Sequence, residues 1–369
     1  MSASRIAFYA PMKAPTHPTP SGDRAMAQNL MELLQLGGAE VILASELRLY
    51  DKLGDPAHQQ LLQRRAADEV SRLVEELPPV DAWVTYHNYY KAPDLLGPAV
   101  AEARGIPYVQ IESTRAKKRL KGPWAAFAQA AHEAADQAAV IFYLTDQDRQ
   151  TLERDRAGDQ QLVHLRPFLP QDALPPARAE SDVAGRTLLA AGMMRPGDKL
   201  ASYALIAETL RHLEKTERAG DWQLLIAGDG PARSEVDALM APFGDRVRFL
   251  GQLGPEAMTD AYRAADLFLW PGVNEAFGMV YLEAQSHGLP VVAQDRPGLR
   301  DVLLPGDYPA PDAGARALAA RVVHLLADAS ERKDLGRRAR DHIACHHLRP
   351  AASATLWAAL KPLFREHSA

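Results

Sequence analysis

Two glutamates, Glu275 and Glu283, stand eight residues apart in the stretch 271–295, PGVNEAFGMVYLEAQSHGLPVVAQD. Glu275 falls in a loop after the apolar run 266–270 (DLFLW). Glu283 falls about one and a half turns into a helix opened by Gly278. A helix N-terminus presents free N–H groups and the positive end of a dipole, which suits a diphosphate. Here that end is built from Ala276, Phe277, Gly278 and Met279, and a glycine lets the backbone approach a ligand closely. Glu283 is then placed to accept hydrogen bonds from ribose hydroxyls, and Glu275 to meet a sugar beyond the diphosphate. Arg195 and Lys199, just after the apolar run 187–191, are two cations suited to two phosphates.

These side chains need strands to deliver them and helices to back them. The first half alternates in that way. Strands are expected at 5–10 (RIAFYA), 40–45, 82–86, 108–111, 140–144 and 162–165, with helices at 24–36, 93–104, 124–138 and after 146, where Asp146 is the expected cap. The segment 166–186 is rich in Pro and Ala without periodicity and reads as a linker. A second alternating set follows, with strands at 187–191, 222–227, 247–250, 266–270 and 289–293. The helical tail, 315–361, is interrupted near Pro350 and stopped by Pro362. The expectation is α/β: two Rossmann-like, doubly wound domains facing an interdomain cleft, with ligands beyond the carboxyl ends of the strands. The first domain spans 1–170 and is completed by a crossover helix, 351–369; the linker is 171–186 and the second domain 187–350. Leu356, Trp357 and Leu360 form the buried face of that helix.

Composition narrows the function. A length of 369 residues suits two domains, and 47% apolar with 24% charged residues is ordinary for a globular protein. A net charge of -5 gives no electrostatic reason to expect nucleic acid as a partner. One cysteine, Cys345, excludes an internal disulfide and fits a reducing compartment. No signal-like or membrane-spanning apolar run occurs, so a cytoplasmic protein is expected, with membrane association at most peripheral.

Glu275 and Glu283 together form the E-x7-E pattern of retaining glycosyltransferases. Embedded in EAFGMVYLEAQSHGLPVVA, the pattern resembles the donor site of family 4 glycosyltransferases with the GT-B fold. LLIAGDGP (224–231), with Gly228 and Gly230, resembles the family's strand ending in a Gly-rich turn, and VRFLG and MTDAYRAAD resemble the elements after it. The resemblance covers 188–303 by motif and the first half by architecture. It implies a retaining hexosyltransferase that takes a nucleotide sugar, a UDP-sugar first among them, and needs no metal or other cofactor. Glu275 would orient the sugar, Glu283 the ribose, and Arg195 and Lys199 the diphosphate, while the acceptor stays unidentified.

The chain also departs from the family's pattern. Where the family has a Gly-Arg pair followed by Lys, it reads Gly192-Met193, with Arg195 two residues later. Where the family often has a histidine touching the donor sugar, it has Glu112, which can bind a sugar hydroxyl or hold an acceptor hydroxyl or amine. His87, at the end of the preceding strand, is the alternative histidine. Gly22, in the loop after the first strand, is the expected close approach to the donor phosphate or acceptor; the alternative is that Asp23 there simply caps the following helix. The basic segment 115–121, which includes Arg115 and Lys118, fits an anionic acceptor, a phospholipid surface or a nucleotide phosphate. His342 and His346 share a helix face without the carboxylates of a metal site. The rival to an enzyme is a catalytically weak relative that binds a sugar nucleotide as a regulatory or scaffolding protein; Met193 and Glu112 motivate it.

Overall fold

The structure is a computed structural model that describes residues 4–19, 21–177 and 186–366. The chain divides into two compact units, Met1–Arg166 with Pro350–Ala369, and Pro167–Arg349.

The first unit runs β1 (Arg5–Tyr9), α1 (Gly22–Leu36), β2 (Glu40–Ser45), α2 (Pro56–Glu76), β3 (Ala82–Asn88), α3 (Gly97–Arg104), β4 (Tyr108–Ser113), α4 (Ala125–Gln137), β5 (Val140–Tyr143), α5 (Asp146–Arg154) and β6 (Gln161–His164). Its six strands are all parallel, in the order β2-β1-β3-β4-β5-β6. A parallel strand covered on both faces needs an unbroken apolar run, and Ile6, Ala7, Phe8 and Tyr9 are all fully buried. Helix α1 turns Met26, Ala27, Leu30, Leu33 and Leu34 inward. Helix α2 has no counterpart in the expected elements. Its buried face is only Gln59, Leu62, Ala66 and Leu73 in a strongly charged sequence, and Asp55 caps it through Ala57 N–H. Helix α5 is capped by Thr145, whose hydroxyl accepts from Asp148 N–H; Asp146 stands in the first turn instead.

The second unit runs β7 (Thr187–Ala191), α6 (Asp198–Glu214), β8 (Gln223–Ala227), α7 (Arg233–Met240), β9 (Val247–Gly251), α8 (Pro255–Ala264), β10 (Leu267–Leu269), α9 (Met279–Ser286), β11 (Val291–Val292), α10 (Gly314–Ala327) and α11 (Ala329–His346). Its five parallel strands have the order β11-β10-β7-β8-β9. Succession runs outward from β7 through β8 to β9, then returns to β10 on the other side. The topological switch point is therefore between β7 and β10, and in the first unit between β1 and β3. Crevices outside the strand ends at such points are where open α/β sheets bind ligands.

Residues 178–185, half of the expected linker 171–186, lie outside the described residues. The part before them packs on the second unit. Leu169 N–H donates to His347 C=O (2.8 Å), Arg349 pairs with Asp172 (2.7 Å), and Arg340 Nη2 donates to Pro175 C=O (2.9 Å).

The last helix, α12 (Arg349–Glu366), returns to the first unit. Pro350 sits in its first turn, where the missing N–H has no helical partner to lose. Pro362 does not stop the helix; it lies inside it, close enough to the end that one lost backbone bond is tolerated. Leu356 and Leu360 are fully buried, and Trp357 packs so closely on Gly37 that a Cβ there would fall 1.6 Å from the indole nitrogen. Trp357→Ala is expected to destabilise the first unit by about 3 kcal/mol through lost contacts and an unfilled cavity. Urea unfolding followed by fluorescence of the remaining tryptophans checks this; a loss under about 1 kcal/mol would mean that α12 is not integral to that core.

Candidate functional site

At the switch point of the second sheet, the loop after β7 and the loop after β10 meet over Trp270. Trp270 is fully buried. Its Nε1–H donates to Glu275 Oε1 (3.0 Å), and its carbonyl accepts from Tyr281 OH (3.0 Å). Lys199, at the start of α6, donates to the same Glu275 oxygen, and its Nζ stands 5.3 Å from the Trp270 ring. Glu275 is 12% exposed and Lys199 28%, so the pair is half-shielded yet reachable from solvent.

Further bonds fix the loop around Glu275. Val273 N–H donates to Ser202 Oγ (3.0 Å), and Asn274 Nδ2 to Asp198 Oδ1 (2.8 Å), both on α6. Asn274 has φ 48, one of three left-handed non-glycine residues among those described. Behind the loop, a short 3-10 helix, Pro297–Asp301, brings Gly298 against its backbone. A Cβ at Gly298 would lie 1.9 Å from Ala276 O and 2.6 Å from Glu275 O. Gly278 caps α9 at φ 70, with the Tyr281 ring beneath it, and leads into Met279, while Phe277 packs on the core.

Glu283 is turned toward α8. Its Oε2 accepts from Tyr262 OH (2.7 Å), and the Tyr262 ring stacks on His287 (5.1 Å, 18°). Burial raises the Glu283 pKa, and the Tyr262 hydrogen bond only partly opposes this. A neutral carboxyl accepts hydroxyl hydrogen bonds less well than a carboxylate. If Glu283 holds a ribose, nucleoside-diphosphate affinity falls as pH drops through the raised value, earlier than an ordinary glutamate would allow. Titration calorimetry across that range, on wild type and Glu283→Gln, checks it: the variant is expected to be weak and flat with pH. An identical slope in both would assign the pH effect elsewhere.

The two glycines of the turn after β8 serve the site from behind. A Cβ at Gly228 (φ 136) would lie 2.0 Å from Gly192 O, and one at Gly230 (φ 152) 2.4 Å from Met194 O. Their bare backbone lets the β8 turn dock on the β7 loop through Gly192 N–H to Ala227 C=O and Met194 N–H to Asp229 C=O, both 3.0 Å. What these two glycines approach is thus protein backbone. Arg195 is exposed and its guanidinium meets Met193 Sδ at 3.3 Å, so Lys199 and not Arg195 joins Glu275.

The first unit gathers a second set at its own switch point. Ser21 caps α1 through Arg24 N–H; Gly22 follows with open space about it, and Asp23 faces His87. Glu112 lies at the same step of β4 as His87 on β3, between the register pairs Tyr86–Ile111 and Asn88–Ser113. The basic segment is largely committed. Arg115 is buried and paired with Asp136 (2.6 Å), because its side chain turns inward under α4; it is not part of an exposed basic face. Lys117 pairs with Asp155 (2.5 Å), and Arg119 stacks over Tyr90 and Trp124 at 4.9 and 5.3 Å. Lys118 and Lys121 remain exposed. At the end of α11, His342 Nε2 lies 3.3 Å from His347 Nε2, and no group of three metal-ligating side chains occurs among the described residues. No helix among the described residues is long and apolar enough to cross a membrane.

Sequence reasoning reached Glu275, Glu283 and Lys199 but missed Trp270, Ser202, Tyr262 and Gly298. Trp270 carried a signal, since an indole at a strand end needs a partner for its N–H.

Residues 185–328 match the family model for glycosyl transferases group 1, and the Trp270, Lys199, Glu275 and Glu283 cluster lies inside that match. Among curated relatives, the α-D-kanosaminyltransferase of Streptomyces kanamyceticus is 27% identical over 232 residues, 60% of this chain and 58% of that protein. The D-inositol 3-phosphate glycosyltransferase of Streptomyces bingchenggensis is 29% identical over 307 residues, 73% of this chain and 64% of that one. The GDP-mannose-dependent α-mannosyltransferase of Mycolicibacterium smegmatis is 37% identical over 123 residues, 32% and 31% of the two chains. The chain therefore spans less than two thirds of the length of these relatives. Sucrose-phosphate synthase from Thermosynechococcus elongatus superposes with TM-score 0.72 at 20% identity, covering 98% of this chain and all of that one. The lipopolysaccharide outer core galactosyltransferase WaaB does so with TM-score 0.63 at 14% identity, covering 96% and 99%. The fold is GT-B, with its two Rossmann-like units, and the match to the glycosyl transferases group 1 model falls in the second unit.

Proposed function

We propose that the chain is a retaining glycosyltransferase that moves a sugar from a nucleoside-diphosphate sugar to a hydroxyl acceptor. The observation that carries this reading is the Lys199–Glu275 pair on Trp270, at the switch point of the second sheet and inside the matched region. The diphosphate draws Lys199 from Glu275, and Arg195 swings in beside it. The N–H groups at the start of α9, near Gly278, take the remaining charge, so no metal is required. Glu275, freed of Lys199, accepts from the sugar hydroxyls; Glu283 and Tyr262 hold the ribose. The C–O bond to phosphate breaks with its electron pair leaving on the diphosphate, an oxocarbenium-like centre develops, and the acceptor oxygen bonds to the same face as its proton passes to the departing phosphate oxygen. Two relatives' names give cyclic acceptors, D-inositol 3-phosphate and 2-deoxystreptamine, and one gives a GDP-sugar donor, which favours a cyclic, polyhydroxylated acceptor and sets guanine beside uracil as the donor base to test.

A thermal-shift panel of UDP, GDP, ADP and their common sugar conjugates, without added metal, tests the donor site. A ligand at about 100 times its Kd adds about 2.7 kcal/mol. A shift with one base, lost in Glu283→Ala, supports the reading and identifies the donor. No shift in folded protein overturns it. Met193 in place of the family's arginine favours a second reading, a sugar-nucleotide binder with weak turnover. Tight nucleotide binding without any donor cleavage would select that reading.

A further inference from the structure

The loops after β2, β3 and β4 converge at the carboxyl edge of the first sheet, within the first unit alone. Residues 89–92 close a tight turn, with Ala92 N–H donating to Tyr89 C=O (2.9 Å), and its tip is Tyr90-Lys91. In the loop after β2, Asp51 N–H donates to Lys91 C=O (2.8 Å), and Asp51 C=O accepts from Trp124 Nε1–H (3.2 Å). Gln59 Nε2 donates to both Pro123 C=O (2.9 Å) and Asp51 Oδ2 (2.7 Å). Gly54, at φ 75, leaves room for this contact: a Cβ there would fall 2.6 Å from Pro123 Cβ. The three loops are thus one bonded frame.

The frame sets two rings at right angles, Tyr90 and Trp124, with centroids 5.7 Å apart. Two cations stand against both. Lys91 Nζ lies 5.7 and 5.3 Å from the two centroids, and Arg119 Cζ 4.9 and 5.3 Å. Both side chains are half-buried. A ring face attracts a cation without neutralising it. Among the described residues neither cation has a carboxylate partner, whereas Arg115 and Lys117 close by pair with Asp136 and Asp155. Asp51, the acid of the frame, is turned to Gln59 and to Leu53 N–H. Arg119 Nε is shut off from solvent and has no hydrogen-bond acceptor. A buried N–H on a charged group left unmet is destabilising and calls for an acceptor. A clamp serving the fold alone would supply one from the protein.

We propose that Lys91 and Arg119, held on Tyr90 and Trp124, form a phosphate-binding site of the first unit. Two uncompensated cations match the nearly two negative charges of a phosphate monoester at neutral pH better than the single charge of a carboxylate. The phosphate draws the ammonium and the guanidinium fork from the rings, and Arg119 Nε–H gains the acceptor it lacks. Until then the rings keep both cations in place, so less freedom is lost on binding. A soluble sugar or polyol phosphate and a lipid headgroup ending in a phosphate monoester share this chemistry. Lys118 and Lys121, exposed on the same loop and not stacked on the rings, add long-range attraction only. As the anchor of a phosphorylated acceptor the site rests on the transferase reading above; the binding itself does not.

Two arms test it on the full chain. Titration calorimetry uses inorganic phosphate and glucose 6-phosphate, with glucose as the uncharged control. Co-sedimentation uses phosphatidylcholine vesicles with and without phosphatidic acid. Both phosphates are expected to bind and glucose not to. Lys91→Gln and Arg119→Gln are each expected to weaken binding about tenfold or more, the scale of one charge-assisted hydrogen bond. Arg119→Lys, which keeps the charge but not Nε–H, recovers only part. Lys199→Ala, in the second unit, and the double variant Lys118→Gln/Lys121→Gln keep wild-type affinity. Binding confined to phosphatidic acid vesicles, and lost in the same two variants, supports the site with a lipid as its source. Binding in neither arm, wild-type affinity in Lys91→Gln, or an equal loss in the Lys118/Lys121 variant overturns the proposal. Should Arg119→Gln fail to fold, Lys91→Gln decides it. Failure of the transferase reading shows separately, as absence of nucleotide binding in the thermal-shift panel.

Discussion

Lys199→Ala is expected to lower donor turnover by about 10²–10³-fold, the scale for removing one preorganised donor from a developing negative charge. Two effects combine. The diphosphate loses its nearest ammonium, and Glu275 loses the cation that offsets its half-shielded carboxylate. Glu275 would then face the incoming phosphates as an uncompensated negative charge, so nucleoside-diphosphate affinity falls together with turnover. Lys199→Arg keeps the charge but not the reach or the fit over Trp270, and is expected to recover only part of the rate. Because Lys199 and Glu275 act as one unit, the double variant Lys199→Ala/Glu275→Gln should lose much less than the product of the two single losses. Steady-state kinetics of nucleoside-diphosphate release, with calorimetric Kd for the product, checks all of these. A Lys199→Ala protein within twofold of wild type in both would reduce the pair to a structural contact.

The second large effect is on stability. At Gly228, alanine meets two obstacles: a backbone at φ 136 that an L side chain rarely adopts, and the Gly192 carbonyl 2.0 Å from its Cβ. Strain and overpacking together should cost roughly 2–4 kcal/mol, about 5–15 °C in melting temperature for a unit of this size. Gly197 is the control. It has φ 87 but open space around the Cβ position, so Gly197→Ala carries the backbone cost alone, about 1 kcal/mol. If the two variants melt together, the docking of the β8 turn on the β7 loop contributes little. If Gly228→Ala melts well below Gly197→Ala and also binds nucleotide more weakly, that docking positions the site as well as holding the sheet.

Much of this was legible before any coordinates. Strands such as β1 and β8 are short apolar runs closed by glycine or polar turns, and their order along the chain dictates parallel pairing. Glu275, Glu283 and Lys199 were found because they sit beside such strand ends. The misses have physical reasons. Helix α2 buries too narrow a face for periodicity to register, with Gln59 in a place where an apolar residue would have signalled it. Gly228 and Gly230 show that a bare backbone signals a close approach but not what approaches. Arg115 sits in a run of basic residues, yet its side chain turns inward to Asp136, and neighbouring charge in sequence carries no sign of that. His87 and Glu112 meet only because β3 pairs with β4 in one register and both strands kink at one step, which a single sequence does not encode locally.

The return of α12 to the first unit also sets a timetable for synthesis. Residues of the whole second unit leave the ribosome before Trp357 can cover Gly37. At about 5–20 residues per second, the first unit waits roughly ten to forty seconds with the groove beside Leu33 and Leu34 open. During that interval it is an incomplete core presenting apolar surface, and chaperones that hold nascent chains have their natural target there. The second unit, continuous in sequence, can close as soon as it emerges. The unit begun first is therefore the one whose chain is completed last.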